Sequence, residues 1–196
     1  MYRFRSKSWP FRGALSSEGS WMRQKVTTSR LREFIHQLAQ RAKGPGSVYF
    51  TGGSTALLLG IRDQTVDIDL KLDPEPAGIF EAIATLKNEL DLNIELASPG
   101  DFIPAHVSWR ENSIFIEAVG GVSFYHYDLV AQALAKIERG FDRDISDVKA
   151  LIDKGFVSAE GILQQFNEIE GNLVRFPAID VVQFKEKISR FLFSLG

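Results

Sequence analysis

The chain of 196 residues contains no cysteine, only three histidines and almost no net charge. Without cysteine there is no disulfide framework, no thiolate metal site and no thiol nucleophile. His36, His106 and His126 are too scattered to suggest a zinc site. No run approaches the roughly 18 uninterrupted apolar residues that a membrane span requires, so no membrane partner is assigned. The early basic residues are followed by no apolar segment of the kind a secretory signal needs. Hydrophobic residues make up 44% and charged residues 24% of the chain, which excludes a mainly disordered or fibrous protein. The length suits one domain, or one domain with a small helical annex, and a cytoplasmic setting is expected.

The near-balance of 23 basic and 25 acidic residues conceals two opposed regions. Residues 1–25 hold six basic side chains against Glu18 alone, a net +5, so the remainder carries −7. Within that remainder, residues 63–101 hold ten acids against Lys71 and Lys87, a net −8. Such a run is either solvated surface or a site that expects a cation. Residues 1–25 show no sustained hydrophobic period and read as a flexible basic arm. Two accounts of it stand: an upstream start codon, with Met22 the biological start and residues 1–21 foreign to the native protein, or an arm that touches nucleic acid or a membrane surface.

From Thr28 onward the pattern becomes regular. Leu31, Phe34, Ile35 and Leu38 predict an amphipathic helix over Ser29–Lys43. A short strand at Val48–Phe50 runs into Gly52-Gly53-Ser54, read as a loop before a short helix at Ala56–Leu59. Val66–Leu72 alternates strictly, as a half-buried strand does. A helix over Ile79–Leu90, a strand over Leu92–Leu96 and a hairpin of Ile114–Val119 with Val122–Tyr125 follow. Helices at Leu129–Arg139, Asp144–Lys154, Ala159–Glu168 and Val181–Phe193 complete the chain. The expected fold is α+β: a small mixed sheet flanked by helices over residues 26–127, then a helical part over 128–196.

Three features point to chemistry on residues 52–95. Glycines at 52 and 53 permit close backbone approach, and a helix start beside Ser54 offers donors to an anion. Asp67 and Asp69, two apart on a strand, share one face, and two like charges there call for solvent or a hard divalent cation. Glu95 lies on the next alternating strand; if the two strands pair, it joins the acids as a third carboxylate, with Glu117 and Asp101 as rivals. His126 is a further candidate for the cleft, and Phe102, Trp109 and Tyr125 are candidates for stacking on a base. The alternatives are a plain linking loop for Gly52-Gly53-Ser54, an exposed polar strand face for Asp67 and Asp69, and core packing for the aromatics.

Gly52-Gly53-Ser54 followed by a helix and Asp67-Ile68-Asp69 resembles the motif of the DNA polymerase β-like nucleotidyltransferase superfamily. The stretch Arg62-x-x-Thr65-x-Asp67-Ile68-Asp69-Leu70 is similar to bacterial nucleotidyltransferase toxins of the AbiE type, as are Tyr127-Asp128-Leu129, Leu134-x-Lys136, Arg139 and Arg143-Asp144-Ile145-x-Asp147. The resemblance implies that Asp67, Asp69 and Glu95 bind Mg²⁺ (or Mn²⁺), and that Gly52, Gly53 and Ser54 hold the triphosphate of an NTP. It further implies phosphate contacts from Lys136, Arg62 and Thr65. Asp144 and Asp147 are expected as structural supports, with Arg143 and Asp144 as an ion pair or cap. The implied function is Mg²⁺-dependent transfer of a nucleoside monophosphate to a hydroxyl of RNA, such as tRNA, or of a protein, in a toxin-like role with an antitoxin partner. The alternatives are a non-catalytic nucleotide- or partner-binding module on the same fold, and an RNA-binding accessory that uses the basic arm.

Overall fold

The computed structural model describes residues 24–195, so the basic arm, apart from its last two residues, lies outside the described residues. Helix α1 spans Thr28–Arg41 and buries the expected stripe of Leu31, Phe34, Ile35 and Leu38. Strand β1 (Gly46–Thr51) passes directly into α2 (Gly52–Leu58). Gly52-Gly53-Ser54 is therefore the first turn of that helix and not a loop before it. Positive φ at Gly52 (57°) lets the chain turn there without a linker. The elements β2 (Asp67–Leu72), α3 (Ile79–Glu89) and β3 (Asn93–Leu96) follow. Strands β4 (Ile114–Val119) and β5 (Val122–His126) form the expected hairpin about Gly120-Gly121.

The five strands run in the order β3-β2-β1-β5-β4. β1 pairs antiparallel with β2 and parallel with β5, while β2 and β3 pair in parallel, so the sheet is mixed and the fold is α+β. Strand alternation puts Val48, Phe50, Ile68, Leu70, Val122 and Phe124 in one core with α1 and α3. The opposite face carries Tyr49, Thr51, Asp67, Asp69 and Lys71. A second core is made by α4 (Leu129–Arg139), α5 (Asp142–Asp153), α6 (Ala159–Glu170) and α7 (Val181–Phe193). Helix α5 starts two residues earlier than expected, so Asp142 and Asp144 both lie in its first turn, where the helix dipole favours acids. Asp128 caps α4 by accepting from the N–H groups of Val130 and Ala131, a contact of about 1 kcal/mol for such a cap.

Candidate active site

The acidic centre follows from strand register. In the parallel β2–β3 pair, Asp69 lies opposite Glu95 and Asp67 opposite Asn93. On its other side Asp69 pairs with Thr51 of β1. The Asn93 amide donates to Asp67 Oδ1 at 2.5 Å and to Glu95 Oε1 at 3.0 Å, tying the two carboxylates together. Asp69 is largely enclosed, and burial, then the charges of Asp67 and Glu95, push its carboxyl up to about 7. Arg139 and Lys136 pull in the other direction but do not cancel the effect.

Among the described residues no three histidine, aspartate or glutamate side chains converge as a ready-made metal cage. The donor set nevertheless fits Mg²⁺ or Mn²⁺. Mg²⁺ is typically bound through one or two carboxylates, with waters and substrate phosphates completing its octahedron. Asp67 and Asp69 offer two such carboxylates on one face of β2. Glu95 is exposed at the rim of this pair.

Packing within the fold requires both glycines. A Cβ on Gly52 would lie 2.6 Å from Asp69 Oδ2, and one on Gly53 would lie 2.1 Å from Thr65 Oγ1. Both positions are thus emptied to let α2 close onto β2. Ser54 is fully buried with its hydroxyl 3.5 Å from the Asp67 carbonyl, and Thr65 donates to the same carbonyl at 3.3 Å. Both hydroxyls therefore brace the backbone of β2 at Asp67.

The basic side chains form a buried network. Arg62 grips Asp147 through two bonds, Nε–Oδ1 at 2.8 Å and Nη2–Oδ2 at 2.5 Å. Lys136 Nζ lies 2.5 Å from Asp147 and 3.4 Å from Asp144. Arg139 grips Asp144 at 2.7 and 2.6 Å. Asp144 thus pairs with Arg139 and not with the exposed Arg143, because Arg139 ends α4 where α5 begins. Three cations bind two carboxylates, leaving one surplus positive charge toward Asp69. Lys136 is neither a solvent-facing lysine nor free to reach a ligand without leaving Asp147.

The rival acids are committed elsewhere. Glu117 pairs with Arg32 on α1 at 2.6 Å, and Asp101 closes a capping box with Ser98. His126 is buried beside Thr55 Oγ1, and burial lowers its pKa to about 4. It pairs with Phe50, on the apolar side of the sheet, so it does not enter the cleft. Trp109 and Tyr125 belong to a ring cluster with Tyr49 and Tyr127, and Phe102 is half-buried in the loop that carries Trp109.

Two residues were missed. Asn93 sits two before Glu95 and so shares its face, a signal present in the alternation. Gln132 lies four residues before Lys136 on α4, on the same helical face; its Oε1 accepts from the Gly52 N–H at 2.9 Å.

Residues 27–173 match the model of a family described as nucleotidyltransferase of unknown function (DUF6036). No curated protein and no solved structure matches the chain.

Proposed function

The chain belongs to this nucleotidyltransferase family, and from that premise we propose that it transfers a nucleoside monophosphate from an NTP to an acceptor hydroxyl with Mg²⁺ or Mn²⁺ held by Asp67 and Asp69. The observation that carries the reading is Asp69, enclosed beside Asp67 and Glu95 with charge that a divalent cation would neutralise. The acceptor oxygen bonds to the α-phosphorus, the α–β phosphoanhydride bond breaks, and pyrophosphate leaves. The acceptor proton passes to a carboxylate, for which exposed Glu95, oriented by Asn93, is the best placed. The bound cation supplies charge stabilisation at the phosphoryl oxygens. The chain's own residues supply placement: Gly52 and Gly53 let α2 sit against β2, and the Arg62–Asp147–Lys136 network fixes α4 and α5 behind it.

The resemblance of Arg62 to Leu70 to AbiE-type proteins supports a toxin-like role on RNA or a protein, with an antitoxin partner and a bacterial source. A module that binds nucleotide without transfer is favoured by one feature, the engagement of the Lys136 ammonium by Asp144 and Asp147. Incubation with α-labelled NTPs, MgCl₂, total RNA and cell lysate separates these readings. Label in an RNA or protein band, lost in Asp67→Ala/Asp69→Ala, is expected. Calorimetric NTP binding with no label transferred would establish the binding module instead.

A further inference from the structure

Gln132 is buried on α4, 3% exposed, and every polar atom of its amide is used. Its Oε1 accepts from the Gly52 N–H at 2.9 Å; its Nε2 donates to the Tyr127 carbonyl at 2.7 Å and to Thr55 Oγ1 at 3.3 Å. A backbone N–H can only donate and a carbonyl only accept, so the amide has one orientation. The residue it grips is the one on which Asp69 rests: Asp69 Oδ2 occupies the space of the Cβ that Gly52 lacks, 2.6 Å from that position. Gly52 holds φ of 57° at the junction of β1 and α2, where the turn has no other hydrogen bond from its N–H. Lys136, one turn further along α4, binds Asp147, which in turn holds Arg62 just beyond the end of α2.

We propose that Gln132 is a positioning residue of the metal site: by fixing Gly52 from the helical part, it sets where the Asp69 carboxylate stands. The inference rests on the reading above, in which Asp69 is a metal ligand. It implies that the helical part contributes to cation binding without touching the cation.

The test uses the full chain and MnCl₂, with bound Mn²⁺ read by electron paramagnetic resonance and the Gly52 amide followed by hydrogen exchange. Gln132→Met keeps the side-chain length and removes both the acceptor and the donor. Expected are faster exchange at Gly52, by about tenfold or more, and a matching loss of Mn²⁺ affinity, with exchange of Val48 and Phe50 in β1 unchanged. Gly52→Ala, which pushes directly on Asp69, should also lose affinity with Gln132 intact, and unchanged affinity there overturns the positioning role even if Gln132→Met does not fold. Mn²⁺ affinity within twofold of the unsubstituted protein in either folded variant overturns the positioning role and leaves the metal reading standing. Failure of the unsubstituted protein to bind Mn²⁺, alone or with NTP, overturns the metal reading itself and the inference with it.

Discussion

Asp69 shows how one buried carboxyl couples stability to pH. Its proton affinity is raised to about 7 in the folded chain from an ordinary 3.8. Between those limits the folded state holds a proton that the unfolded state has released, so stability falls as pH rises. The contribution is complete below about pH 4 and gone above about pH 7. In EDTA, Asp69→Asn should therefore leave stability at pH 4 little changed and raise it at pH 8, by at most about 4 kcal/mol at 1.36 kcal/mol per pH unit. Urea unfolding at the two pH values measures this; equal pH slopes for both proteins would sink it. Gly53 makes a second, purely steric prediction. Gly53→Ala places a methyl 2.1 Å from Thr65 Oγ1 and should cost about 1–3 kcal/mol, as overpacking does. Adding Thr65→Ala removes the obstructing oxygen, so the double variant should lose less than the two single losses together.

At the scale of elements, α4 and α5 are joined to the α2–β2 connection by buried charge. Asp147 is shared by Arg62 and Lys136, so Asp147→Ala strands Arg62, leaves Lys136 only its 3.4 Å contact with Asp144, and should cost about 3–5 kcal/mol in urea unfolding. Lys136→Met should cost much less, because Arg62 still neutralises Asp147 and Arg139 still neutralises Asp144. That asymmetry also separates chemistry from support. A stable Lys136→Met protein that no longer transfers label places the ammonium in the reaction, whereas full transfer leaves it a structural cation. The sequence made the strands legible because a period of two exposes which side chains share a face: Asp67 with Asp69, and Asn93 with Glu95. It also made α4 and α5 legible through their apolar stripes. It could not show that Asp144 turns to Arg139 over Arg143, since that depends on the angle at which two helices meet. Nor could it show that Gly52 and Gly53 make room for Asp69 and Thr65, because an empty volume in one element is explained only by a side chain from another.

For the whole molecule, the −8 window of residues 63–101 is divided by the fold. Some of its acids are compensated locally: Asp73 by Arg110 and Glu89 by Arg41. Asp67, Asp69 and Glu95 are brought together with only Asn93 bridging two of them and the surplus charge of the Arg62–Lys136–Arg139 network facing the third. The fold therefore concentrates three carboxylates at the place where the proposed reading puts a cation. A ligand that binds only the folded state at about 100 times its dissociation constant stabilises by roughly 2.7 kcal/mol, which for a chain of this size raises the melting temperature by about 5–10 °C. MnCl₂ added to EDTA-treated protein at pH 7.5 should produce a rise of that order. The comparison that decides is the metal-induced increment and not the absolute midpoint, because removing Asp69 raises the metal-free stability at this pH. In Asp67→Ala/Asp69→Ala the increment should vanish while the metal-free midpoint holds or rises. An equal increment in both proteins would mean that Mn²⁺ binds elsewhere on the acidic surface, and the Asp67–Asp69 pair would lose its claim to the metal.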